Sequence, residues 1–143
     1  MGRYIQQAQL SSSEQRNTAR TAADYTLPAI YEIYNDAVDG ALSDATTYYW
    51  EIPEQVNFNK LTLEMDFSAN VAVYFRCTTY QELSNADDTG WKDCTEMLVG
   101  EGETVLTGPI SDMFRMDIPW KFRLMIKAVV TGAGTTFRAQ AVQ

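Results

Sequence analysis

From about residue 28 onward, apolar and polar residues alternate in short stretches separated by turn residues, the period of two that marks half-buried β-strands. Leu61, Leu63, Met65 and Phe67 alternate with Thr62, Glu64 and Asp66. After Ser68-Ala69-Asn70, the residues Val71, Val73, Phe75 and Cys77 alternate with Ala72, Tyr74 and Arg76. These two stretches predict a hairpin with one core face and one wet face. Phe122, Leu124, Ile126, Ala128 and Val130 alternate with Lys121, Arg123, Met125 and Lys127. Gly132-Ala133-Gly134 then turns the chain into Phe137, Ala139 and Ala141, which predicts a C-terminal hairpin.

Shorter elements fill the gaps. Residues 46–52, with Tyr48-Tyr49-Trp50 at their centre and Pro53 at their end, predict a strand, and 104–106 predict a short one. Residues 111–117 predict a helical turn stopped by Pro119. The stretch 27–38 fits two periods. Ile30, Tyr31, Tyr34, Ala37 and Val38 form a helical stripe, whereas 30–34 alone reads as a strand, and its setting among strands favours the strand. The sum is about seven to eight strands with no long helix between them. It predicts an all-β fold, an antiparallel β-sandwich or jelly roll, and disfavours a parallel βαβ sheet.

The pattern differs before residue 28. Residues 1–27 are rich in Gln, Ser, Thr and Ala, and three arginines (Arg3, Arg16, Arg20) against Glu14 and Asp24 leave them at +1. Ser11 and Glu14 have capping-box spacing, so 12–23 admits a short helix, but Ala19, Ala22 and Ala23 are too small a face for it to stand alone. Tyr4, Ile5, Leu10 and Tyr25 are apolar anchors spread along this polar segment, which suits an arm that orders on a neighbouring subunit. The division is thus an N-terminal arm, 1–27, and a β-sandwich domain, 28–143. Partner-binding candidates are Tyr4, Ile5, Leu10, Arg16, Arg20 and Tyr25; the plain alternative is a terminus without a role.

Length and charge narrow the function. A chain of 143 residues, 45% hydrophobic and 21% charged, has the material for one domain. It contains no histidine, which removes His-based general bases, His-assisted nucleophiles and His-containing metal sites. The net charge of −8, of which −9 falls on the body, has the wrong sign for a nucleic-acid binder. The N-terminus lacks the apolar core of a signal peptide and no 18-residue apolar run occurs, so membrane insertion is not expected. Synthesis in a cytoplasm starts Cys77 and Cys94 as thiols. Their spacing admits a bridge, and two small half-buried side chains are the ordinary alternative.

Few constellations bear chemistry. Asp36, Asp39 and Asp44 around Gly40 offer oxygens for calcium without EF-hand spacing, so a solvated acidic loop is the plainer reading. Glu64 and Asp66 share a strand face as a glycosidase pair would, but nothing nearby in sequence raises either pKa. Tyr48, Tyr49, Trp50, Trp91 and Trp120 could supply a sugar platform, with core or interface packing the more ordinary use. No phosphate loop, zinc spacing or cysteine–histidine pair is present. The expectation is a non-enzyme with no cofactor, no metal site and no catalytic residues.

The order of the pieces adds a resemblance. Tyr49-Trp50-Glu51-Ile52-Pro53, Lys60-Leu61-Thr62-Leu63-Glu64-Met65 and Val71-Ala72-Val73-Tyr74-Phe75-Arg76 are followed by Thr89-Gly90-Trp91-Lys92-Asp93, Phe122-Arg123-Leu124-Met125-Ile126-Lys127 and Gly134-Thr135-Thr136-Phe137-Arg138. This cadence, over about residues 46 to 140, resembles small β-sandwich virion proteins of tailed bacteriophages, such as capsid decoration (cement) and head or tail accessory proteins. Carbohydrate-binding sandwiches share much of it. The resemblance implies a virion structural protein made in the host cytoplasm, binding major capsid protein or other virion proteins and forming a homo-oligomer, with a trimer favoured. It carries over no functional residue.

Overall fold

The computed structural model describes residues 30–52, 61–116 and 122–142. The arm with its six candidate residues, the admitted helix over 12–23, Pro53, Pro119 and Trp120 lie outside them. The described elements run in the order β1 (Ile30–Asn35), α1 (Asp36–Asp39), β2 (Thr47–Glu51), β3 (Leu61–Phe67), β4 (Val71–Thr78), β5 (Lys92–Asp93), α2 (Thr95–Val99), β6 (Leu106–Thr107), β7 (Ile110–Met116), β8 (Arg123–Val130) and β9 (Phe137–Val142).

The strands form two antiparallel sheets. One has the order β1-β9-β3-β7; the other has β2-β8-β4-β5, with β6 also on the free edge of β4. The pairs are nested: β1 with β9, β2 with β8, β3 with β7, and β4 with β5 and β6. A long antiparallel ribbon has wrapped around itself, and the result is a jelly-roll sandwich.

Nesting corrects the two predicted hairpins. Strands β3 and β4 are correctly placed, but they lie in different sheets, and so do β8 and β9. Ser68-Ala69-Asn70 and residues 131–136 are corners between the sheets rather than hairpin turns. They fasten to each other instead: the Ser68 amide donates to the Thr136 carbonyl at 3.1 Å, and the Thr131 amide to the Asn70 carbonyl at 2.9 Å. The Asn70 side-chain amide donates to Thr135 Oγ1 at 2.6 Å, and the Gly108 amide to the Val71 carbonyl at 3.0 Å.

The sequence also misassigned 111–117. Residues 110–116 form β7, an edge strand paired along all of β3. Ile110, Met113 and Phe114 have helical spacing, but Ile110 and Phe114 share the inward face while Met113 is 61% exposed on the other. Of the stretch 27–38, the described residues form the favoured strand from Ile30 to Asn35, but one helical turn, Asp36–Asp39, follows it, so the two periods are successive where the sequence offered them as alternatives. The Asn35 side chain caps that turn by accepting from the Ala37 amide at 3.1 Å.

The core is the space between the sheets. Leu63, Met65, Phe67, Phe137, Ala139 and Ala141 face Val71, Val73, Phe75, Leu124, Ile126 and Ala128, all of them buried. The alternation in the sequence fixes this, because each strand presents every second residue inward. A column of rings ties the two layers together: Phe67 on Phe137 at 5.4 Å, Phe137 on Trp50 at 4.9 Å, and Trp50 on Tyr48 at 5.5 Å between centroids.

Candidate functional site

Among the described residues, three places on the surface gather polar or aromatic groups. The first is the outer face of the second sheet. Arg123 and Lys127 on β8, Tyr74 and Arg76 on β4, and Tyr49 and Glu51 on β2 point outward there, and residues 79–91 fold back across them. Arg123 holds this strap at its centre. Its guanidinium donates to Glu51 Oε2 at 2.8 Å and Oε1 at 2.9 Å, and to the carbonyls of Tyr80 and Leu83 at 2.8 and 2.9 Å. It also lies 4.8 Å from the Trp91 ring centroid. Asp88 pins the other side, accepting from Lys127 at 2.9 Å and Arg76 at 3.0 Å. Under the strap Met125 is buried on a face that the alternation marks as wet, and the strap's own Trp91 is buried against Arg123.

These contacts set the local charge states. The Arg123 hydrogen bond holds the Glu51 carboxyl below its ordinary range despite partial burial, and Asn85 helps by donating at 3.0 Å. Lys127, then Arg76, does the same for Asp88, again against the opposing effect of burial. A carboxylate with a lowered folded pKa stabilises the fold above its unfolded pKa, and that contribution is lost as pH falls through the folded value. Thermal midpoints are therefore expected to be flat above about pH 5 and to fall on acidification below about pH 4, where free carboxyls begin to protonate. Calorimetry across this range checks it; a midpoint that held or rose on acidification would contradict the strap's ion pairs.

The second place is a cleft of about 250 Å³ between the edge strands β1 and β2, lined by Tyr31, Glu32, Tyr49, Trp50, Glu51 and Asn85. The third is a groove of about 460 Å³ at one end of the first sheet, where Asn35, Asp36, Asp66, Ser111, Thr136 and Arg138 meet.

The sequence candidates are dispersed among these places. Tyr48 and Trp50 turn into the core, Tyr49 lies outside near the Lys127 ammonium, and Trp91 is buried under Arg123. The rings thus form a core column and a strap anchor instead of one platform. Asp36 Oδ1 accepts from the Phe137 amide at 3.1 Å, and Asp39 Oδ2 from the Asn35 amide at 3.2 Å, so these carboxylates fasten backbone. Burial, with Tyr48, Asp39 and Asp36 nearby, pushes the Tyr34 phenol up, which keeps it a donor to the Gly40 carbonyl at 2.8 Å. Among the described residues no group of three or more His, Cys, Asp or Glu side chains is placed to hold a metal ion. Glu64 and Asp66 do share the outer face of β3; Glu64 accepts from the Gln140 side chain at 3.3 Å, and Asp66 bonds the Ser111 hydroxyl at 2.5 Å.

The strap was missed by the sequence reading. Its one signal is the apolar pair Met125 and Trp91 in otherwise polar surroundings. The exposed large apolar side chains include Ile30, 64% exposed, and Tyr31, 38%, at the start of β1, Val38 in α1, and Met113 on the opposite edge. No helix among the described residues is long and apolar enough to cross a membrane. No family model, curated protein or solved structure matches the chain.

Proposed function

We propose that the chain is a structural subunit that ties neighbouring proteins into an assembly, of the capsid decoration or cement type found in virions of tailed bacteriophages. Its partners are major capsid protein or other virion proteins and further copies of itself, with a trimer favoured. A tail or neck position is a variant of the same role. The protein acts by holding surfaces together and carries out no reaction.

The observation that carries the reading is the edge strand β1. Among the described residues it pairs on one side only, with β9. It exposes Ile30 and Tyr31 where the +1 arm joins the −9 body. An open strand edge with exposed apolar side chains can take up another chain's backbone and side chains together. An arm of opposite charge reaching such an edge on a neighbour extends contact without enlarging the body. Jelly rolls serve in capsids and in lectins alike, so the fold supports the reading without choosing it.

The same edge tests it. Removing residues 1–24, or placing lysine at both Ile30 and Tyr31, is expected to lower the molar mass of the assembled protein in solution by light scattering, with circular dichroism unchanged. An assembly that survives both changes would refute the arm and edge mechanism.

A carbohydrate-binding module is the second reading, and the cleft between β1 and β2 favours it. Tyr31 and Tyr49 line it together with Glu32 and Asn85, the mix of aromatic and polar side chains that sugars use. A monomer in every form, with tryptophan fluorescence that shifts on adding host polysaccharide, would favour this module over the assembly subunit.

A further inference from the structure

The strap has a covalent possibility at its base that does not depend on the assembly reading. Strand β5 pairs with β4 so that Arg76 opposes Asp93 and Cys77 opposes Lys92. Continuing that register, the Cys94 amide donates to the Phe75 carbonyl at 2.9 Å, which places Cys94 across from Phe75 and two residues along the strand from Cys77. Phe75 and Cys77 both point inward, and Cys94 joins the same core cluster. Thr95 locks this position, since its buried hydroxyl accepts from the Phe75 amide at 2.8 Å and donates to Asp93 at 2.8 Å. The chain's two cysteines are thus buried thiols on the same inward face, one diagonal step apart across the β4–β5 pair, at the two ends of the segment that bears the strap.

We propose that Cys77 and Cys94 are a latent disulfide site, closed by a low-molecular-weight disulfide such as oxidised glutathione once the protein leaves a reducing compartment. Cys77 is the attacking group. The hydrogen bond from Cys94 holds its thiol below the ordinary value, while that bond and burial push the Cys94 thiol up. The Cys77 thiolate attacks one sulfur of the small disulfide, forming a mixed disulfide and expelling a thiolate that takes a proton. Cys94 then loses its proton to solvent and attacks the Cys77 sulfur, expelling the second small thiol. Two protein thiols are oxidised and one small disulfide is reduced to two thiols. Entry is possible because β5 has only two residues, both exposed, and its outer fastening is the Arg76–Asp93 pair, with Asp93 half exposed. Opening so short an edge costs little compared with global unfolding.

The closed ring would encircle the strap and remove freedom from the unfolded chain. Full-length protein incubated with oxidised glutathione is expected to lose two hydrogens in mass, to yield a peptide linking Cys77 with Cys94, and to melt about 10 °C higher, reversibly with dithiothreitol. Cys94→Ser is expected to stop at a single glutathione adduct on Cys77 with no such rise. Three results would overturn the proposal. They are both thiols still alkylated after denaturation of the treated protein, cross-links between separate chains, or a closed bond that leaves the midpoint unchanged.

Discussion

Gly108→Ala is expected to remove about 3 to 4 kcal/mol of stability, enough to take a large share of the total for a domain of this size. Gly108 lies in the link between β6 and β7, where its amide donates to the Val71 carbonyl and the chain crosses the corner at Ser68. A Cβ at this position would overlap the Ser68 carbonyl oxygen and lie 2.7 Å from its carbon and 3.1 Å from Ala69 Cα. All three are backbone atoms of a corner that is itself bonded to residues 131 and 136, so none can swing away as a side-chain tip would. Urea denaturation reads the loss as a lower midpoint with unchanged slope. Gly134→Ala is the comparison: its φ of 66° carries a cost of about 1 to 2 kcal/mol, but a Cβ there meets nothing within 4 Å. Equal effects at the two glycines would show that the corners are not packed as described.

Arg123→Met is expected to cost about 3 kcal/mol and to free the strap from the sheet. The side chains of Arg123 and Glu51 are only 12% and 15% exposed. Removing the guanidinium leaves a partly buried carboxylate without its two strongest donors, and the Tyr80 and Leu83 carbonyls without theirs. Pairing the change with Glu51→Gln should recover part of the loss, because the stranded charge goes with its partner. Hydrogen exchange should show amides of 79–91 losing protection while those of β3 and β9 keep it. Unchanged protection in the single variant would mean that the strap is held by something other than Arg123.

Much of the sandwich could be read from alternation, because a strand with one buried face must alternate. β3, β4, β8 and β9 all fall where their apolar residues predict. What alternation does not encode is the partner. A hairpin and a corner between two sheets present the same inward set on successive strands, and only the nested pairing of β3 with β7 and β8 with β2 tells them apart. The β7 misreading has a different origin: an exposed Asp112 on the inward side of an edge strand breaks the period and leaves Ile110, Met113 and Phe114 at helical spacing. The strap was illegible because its fastening is made by charges far apart in the chain, Glu51 with Arg123 and Asp88 with Lys127. The same holds for the two cysteines, whose spacing admits a bridge but whose adjacency depends on the register of β5 against β4.

The proposed assembly role rests on the edge of β1 and on the arm that precedes it in the sequence. Its most direct test is the molar mass of the full-length protein in solution by light scattering, set against that of the protein lacking residues 1–24. The account predicts a multiple of 16.1 kDa, with three copies favoured, that falls on truncation. A mass of one chain in both forms, at concentrations where assemblies of this kind persist, would contradict it.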